Sequence, residues 1–300
     1  MSGSIIRTIA IAGTGNLGSI LIPELASPAW GFSIRVLTRA SSSTASLPAN
    51  VDVTTVDYAV EEQLVQALQG VDAVVSALTN PDAQVALIHA AKAAGVKLFV
   101  PSEFGNPSTT LTPADHPALY GKKQMQDLLK AVGLPALLVF CGPFTDFTFN
   151  PFFGFDFASR HATIVGTGST PISFTSRSSV SRFLAHHLST AYPSSSFLPS
   201  PAEPEIFRLE GDRKTFLEVV AAWEKLHPEG GNVVVEHTAL EEADERAKDL
   251  GGDFLKSLIA YLLASWERGM GQVDEGTGEG VLSRWAEWKP ERVEDILRGQ

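Results

Sequence analysis

One cysteine, Cys141, stands in 300 residues, so no internal disulfide can form, and zinc ribbons and disulfide-stapled scaffolds are excluded. Apolar runs all break at Gly, Pro or charge before the roughly 18 residues needed to span a bilayer. Residues 1–4 carry no basic start of a secretory leader. A cytoplasmic chain with no membrane partner is therefore expected. Basic residues are also scarce: 23 Lys and Arg against 34 Asp and Glu leave a net charge of −11. That balance argues against nucleic acid, whose phosphates are held by clustered Lys and Arg. Seven histidines show no metal-ligand spacing, and the adjacent His186 and His187 diverge by about 100° on a helix, so no metal is expected.

What is present is a rhythm. Short apolar runs at 5–12, 33–38, 51–56, 71–78, 97–101 and 136–140 alternate with helical patterns at 16–26, 60–69, 82–94 and 117–132. Near-continuous apolar runs suit strands buried on both faces. Gly70, Gly95 and Gly133 follow helical runs, where glycine caps a helix at least cost. This alternation implies parallel crossovers and an α/β fold with a doubly wound parallel sheet. Past about residue 145 the rhythm changes, with Ser and Pro gathered at 193–204 and helical patterns at 180–188, 215–226, 240–249 and 254–268. The expected organisation is a nucleotide-binding domain over 1–150 and a smaller mixed α/β lobe over 151–300. A strand near 207–209 is expected to return to the first sheet.

Gly13-Thr14-Gly15-Asn16-Leu17-Gly18 fits G-x-G-x-x-G after a strand and at a helix start. In that setting the first glycine makes the turn, the second lets backbone approach a pyrophosphate, and the third packs helix on strand. The helix start attracts the anion. Dinucleotide folds that select NAD place a carboxylate at the end of the second strand, but here the chain reads Val36-Leu37-Thr38-Arg39-Ala40. A guanidinium can grip a 2′-phosphate with two parallel hydrogen bonds, so Arg39 predicts NADP(H). Asp57 serves either the adenine side or the cap of the helix near residue 60.

Several stretches resemble the isoflavone reductase and phenylcoumaran benzylic ether reductase family, together with the NmrA-like proteins, all atypical short-chain dehydrogenases. They are the glycine turn, Val71-Asp72-Ala73-Val74-Val75-Ser76, Phe99-Val100-Pro101-Ser102-Glu103-Phe104-Gly105, and Lys122 followed by Gly133-Leu134-Pro135; Trp288 to Asp295 resembles the closing helix. The resemblance implies a Rossmann lobe, a smaller substrate lobe and NADPH as hydride donor, with Ser76 and Ser102 beside the cofactor. It also implies that Lys122 is the general acid or base, since loss of hydration beside a nicotinamide makes an ammonium a readier proton donor. The Tyr-x-x-x-Lys pair of typical members is missing, because Ala118 and Leu119 stand four before Lys122 and Lys123. Tyr120 sits about 200° round the helix from Lys122. Gln124, Gln126 and Asp127 replace the basic residues that tend to follow in the family.

Seven of seventeen phenylalanines fall between residues 144 and 157. Asn150-Pro151 and Gly154 interrupt them, so a folded loop is expected at a strand's carboxyl end, where ligands of open sheets gather. Phe144, Phe147, Phe152 and Phe153, with Phe104, are read as walls for a flat aromatic substrate; core packing between lobes is the competing account. His116 and His161 either reach the cleft as proton donors or stand on the surface. The expected function is NADPH-dependent reduction of a small phenolic, quinone-like or polyketide-type metabolite of secondary metabolism, by a monomer or homodimer. The alternative is an NADP(H)-sensing regulator that binds a protein partner without turnover.

Overall fold

A computed structural model describes residues 4–273 and 285–299, so most of the segment on which the leader expectation rests, residues 1–3, lies outside the described residues. The apolar runs of the first half form β1 (Thr8–Ala12), β2 (Ser33–Thr38), β3 (Asp52–Thr55), β4 (Ala73–Ser76), β5 (Leu98–Val100) and β6 (Leu137–Phe140). Between them run α1 (Gly18–Leu25), α2 (Glu61–Ala67), α3 (Pro81–Ala93) and α4 (Pro117–Val132). Five strands pair in parallel in the order β3-β2-β1-β4-β5. A parallel bridge from Phe99 to Ala136 carries the sheet on to β6.

Alternation along β1 divides the core into two layers. Ile9 and Ile11 share one cluster with Leu21 and Ile22 of α1, whereas Ala10 and Ala12 share the other with Leu64, Leu87 and Ile88. Each fully buried Leu or Ile contributes about 1.5–3 kcal/mol, which explains why these strands read as continuous apolar runs. Strand order reverses between β1 and β4, and open parallel sheets leave a crevice at such a point.

The second half comprises α5 (Thr145–Thr148), β7 (Phe155–Asp156), β8 (His161–Val165), β9 (Ile172–Phe174), α6 (Arg177–Thr190), β10 (Glu205–Arg208), β11 (Asp212–Lys214), α7 (Phe216–Leu226), β12 (Val234–Thr238), α8 (Leu240–Lys248), α9 (Phe254–Ser265) and α10 (Val293–Leu297). Two of these elements serve the first half: β10 pairs in parallel with β6, and α6 packs on α1. The remainder encloses its own core of Phe149, Phe155, Phe157, Phe174, Phe216, Trp223 and Trp266.

Sequence periodicity left β7, β8, β9, β11 and β12 unmarked. They are short and depend on distant partners; β12 pairs with β8 across some seventy positions, Val234 opposite His161, and is largely exposed. The helical pattern at 254–268 also ends early. After Ser265 the backbone widens into a π turn over Trp266–Met270 that contains Gly269 at φ +89°. Among the described residues, no helix is long and apolar enough to cross a membrane.

Candidate active site

A cleft of about 2630 Å³ opens over the carboxyl ends of β1, β2 and β4 and runs to α9. Its floor at one end is the glycine turn. Gly13 has φ +102°, and a Cβ there would stand 3.0 Å from the Ala77 carbonyl oxygen, so β1 and β4 meet closely at the crevice. A Cβ on Gly18 would lie 2.1 Å from the Gly13 carbonyl oxygen, which only glycine permits. At Gly15, by contrast, a Cβ would meet no atom within 4 Å. No side chain caps α1, and its first turn carries no acidic residue; the Ser19 and Ile20 N–H groups donate to the Gly15 and Leu17 carbonyls, so an anion would meet the amides of the turn that precedes them. The turn thus has the room and the donors that a pyrophosphate requires.

Arg39 is exposed in the same cleft, followed by Ser41, Ser42, Ser43 and Ser46. No carboxylate among the described residues pairs with it. Tyr58 lies beside it: burial pushes that hydroxyl up to about 12, while the Arg39 charge pulls the other way. These residues suit the extra phosphate of NADP(H). Asp57 also lines the cleft, where its carboxylate accepts from the Ala59 N–H at 2.9 Å and shapes the turn before α2.

Ser76 departs from its expected place. It is fully buried at the end of β4, and the residues after it, Ala77 to Thr79, line the cleft instead. Ser102 does line it, its N–H donating to Gln84 Oε1 at 2.8 Å.

Lys122 lines the cleft, and its ammonium donates to the Glu103 carbonyl oxygen. Gly105 lies beside the amine, where a Cβ would stand 3.5 Å from Lys122 Nζ. One turn along α4, Gln126 donates to Glu103 Oε1 at 2.8 Å and to Ser108 Oγ at 2.7 Å. Ser108 in turn donates to Glu103 Oε2 at 2.6 Å. Positions 122 and 126 therefore grip Glu103 at two points, and its carboxylate is buried but satisfied. The replacement of a basic residue by Gln126 gains a structural meaning here: a neutral amide completes this network. Cys141 lies within electrostatic reach of Lys122, yet burial dominates and pushes its thiol up to about 12, leaving it inert.

The phenylalanines divide between both accounts of them. Phe104, Phe144, Phe147 and Phe153 line the cleft, whereas Phe149, Phe155 and Phe157 belong to the second core. Phe152 is turned outward at 70% exposure and stands off the cleft. Pro151, Phe152 and Phe153 form one 3-10 turn, so neighbouring rings point different ways. Phe153 stacks on Trp266 with centroids 6.1 Å apart, and Tyr261, Leu262 and Met270 complete this wall. Trp266 Nε1 donates to Asn106 Oδ1 at 2.8 Å, and Asn106 Nδ2 donates to the Met270 carbonyl at 3.1 Å, fastening the π turn to the loop before α4. These residues of α9 and the π turn escaped the sequence reading. Only the aromatic content of 261–266 could have signalled them.

His116 is neither a cleft acid nor a surface residue. It is buried at the head of α4, where Nδ1 accepts from the Ala118 N–H at 3.2 Å and Nε2 meets Ser257 Oγ at 3.3 Å. His161 lies on β8, 3.4 Å from Glu236 and away from the cleft. Among the described residues, no group of His, Cys, Asp or Glu is arranged to hold a metal ion.

Oxidoreductase aprR of Aspergillus flavus is 34% identical to this chain over 183 residues, which is 58% of the chain and 61% of the relative. The match therefore spans less than two thirds of that relative's length. Among solved structures, AtPrR2 with NADP+ and (+)pinoresinol superposes with a TM-score of 0.76 at 20% identity, over 98% of each chain. The leucoanthocyanidin reductase of Vitis vinifera with NADPH gives a TM-score of 0.78 at 18% identity, over 97% of this chain and 98% of that one. Identities this low make the likeness one of fold, and the doubly wound sheet is common to all. The NmrA-like family model matches residues 7–191, from β1 to the end of α6, and the chain belongs to that family.

Proposed function

We propose that the protein is an NADP(H)-dependent reductase of a small aromatic, phenolic, quinone-like or polyketide-type metabolite. The observation that carries this reading is one open cleft lined by the glycine turn, Arg39, Lys122 and an aromatic wall. A sensing regulator would need only the coenzyme end, and an open aromatic chamber beyond it favours turnover. The relatives point the same way, since aprR is an oxidoreductase and AtPrR2 was solved with NADP+ and an aromatic ligand.

When bound, the coenzyme supplies a hydride, and a proton must balance the charge that the hydride brings. The turn from Gly13 to Gly18 would hold the pyrophosphate, with Thr14, Asn16 and Leu17 presenting backbone. Arg39 and the neighbouring serines would hold the 2′-phosphate, and Ser102, which lines the same cleft, would bond the coenzyme as well. Lys122, aimed by the Glu103 carbonyl, gives its proton to the substrate oxygen as the acceptor is reduced. Phe104, Phe144, Phe147 and Phe153, with Trp266, hold the flat ring and exclude water. Residues 1–150 would contribute the coenzyme end together with Lys122, Phe104, Phe144 and Phe147, and residues 151–300 would close the substrate end with Phe153, Tyr261 and Trp266.

The test is NADPH oxidation across a panel of phenols, quinones and aromatic polyketides. An active acceptor should lose about 10²–10⁴-fold in turnover with Lys122→Ala, the usual worth of a positioned acid, while NADP+ still binds. Undiminished turnover would remove Lys122 from the reaction. Tight coenzyme binding with no oxidation of NADPH by any member would favour the regulator.

A further inference from the structure

Arg177 opens α6, far along the chain from the glycine turn, yet it reaches that turn. Its Nη1 donates to the Asn16 carbonyl at 3.0 Å and to Asn16 Oδ1 at 2.7 Å. The other edge of the same guanidinium holds the aromatic segment: Nε donates to Asp146 Oδ2 at 2.9 Å and Nη2 to the Asp146 carbonyl at 3.4 Å. Asp146 Oδ1 also accepts the Arg177 backbone N–H at 3.0 Å. The guanidinium lies 5.8 Å from the Phe147 ring centroid. The Arg177 and Asp146 side chains are only 17% and 22% exposed, so water screens this pair weakly.

We propose that Arg177 is a positioning residue that couples the two ends of the cleft, so that a dinucleotide on the glycine turn orders the aromatic wall at Phe144 and Phe147. The inference rests on the reading of that turn as a pyrophosphate cradle. An anion drawing on the N–H groups around Asn16 fixes the conformation of that residue. The Arg177 fork spans Asn16 and Asp146 at once, so fixing one partner restrains the other. Asp146 lies between the two wall residues Phe144 and Phe147, and α5 moves with it. A lysine could not reproduce the link, because one ammonium lacks the planar fork that holds both partners. Coupling between sites is reciprocal, so an aromatic ligand on the wall also tightens the coenzyme.

Amide exchange over residues 144–149 reads this coupling without turnover. Saturating NADP+ should slow exchange there by about fivefold or more in the wild type, the lower range of coupling between sites. In Arg177→Gln, at NADP+ concentrations raised until the site is again full, the slowing should vanish. Arg177→Lys should lose it as well despite keeping its charge. Asp146→Asn, which leaves Arg177 in place, should lessen it and decides the matter if the Arg177 variants fail to fold. Slowing as large in a saturated, folded variant set as in the wild type overturns the coupling and leaves the coenzyme site standing. A wild type that binds no NADP+ overturns the coenzyme reading itself.

Discussion

Two alanine substitutions in the glycine turn should part anion binding from packing. In Gly18→Ala the new methyl would stand 2.1 Å from the Gly13 carbonyl oxygen and 2.9 Å from its carbon, both backbone atoms that cannot rotate away. Strand or helix must shift, and overpacking of this kind costs about 1–3 kcal/mol. For a chain of this size that lowers Tm by about 2–5 °C. Gly15→Ala meets nothing within 4 Å, and its backbone is outside the left-handed region. Its stability should stay within about 1 kcal/mol of wild type and can rise, because alanine narrows the unfolded ensemble. The same methyl occupies the approach of a pyrophosphate. Losing two charge-assisted hydrogen bonds at about 1.5 kcal/mol each removes about 3 kcal/mol, or about 100-fold in Kd. Thermal melts and NADPH titration of both variants measure the two quantities separately. A Gly15→Ala protein that melts like the wild type and binds NADPH as tightly would refute the cradle.

Arg39→Gln should weaken NADPH by about 10–100-fold and leave NADH within about threefold, as expected for removal of a guanidinium from a phosphate; titration with both coenzymes decides this. Asp72 accepts from the N–H groups of Arg7 and Thr8 at 2.9 Å each and from Lys97 Nζ at 2.6 Å. Burial pushes its carboxyl up, but these donors outweigh burial and hold it below its ordinary 3.8. A lowered carboxylate stabilises the fold fully above its unfolded value, and the contribution is lost as pH falls through the folded one. Asp72→Asn should therefore cost about 1–2 kcal/mol at pH 7, and urea titrations should show that deficit closing below about pH 4. For an accepted aromatic substrate, Phe153→Ala should raise KM by about tenfold through loss of the ring stacked on Trp266. Phe152→Ala should leave kinetics and stability unchanged within about 0.5 kcal/mol.

The first half was legible because its elements announce themselves locally. β2 and α4 fall at the residues read from pattern alone, Ser33–Thr38 and Pro117–Val132, since strand burial and helix caps are written in neighbouring residues. The second half depends on partners far along the chain, and β12 gives no sign of burial because it lies exposed beside β8. The candidate site divides in the same way. The glycine turn and Arg39 were visible in the residues themselves and Lys122 only through the family resemblance, and all three reach one cleft. Ser76 was misplaced because a motif reports position and not the face on which a side chain is buried. Tyr261, Trp266 and Arg177 were missed because only tertiary folding brings α9 and the π turn to the cleft and α6 to the glycine turn.

β10 has a consequence for any attempt to divide the protein. Because Glu205–Arg208 hydrogen-bonds along β6, a fragment stopped at residue 150 would end its sheet on a bare row of amides and carbonyls. The same cut strips α6 from α1, uncovering Leu21, Ile22 and Leu25. Such a fragment has every reason to recruit a second copy of itself, edge against edge, and to precipitate.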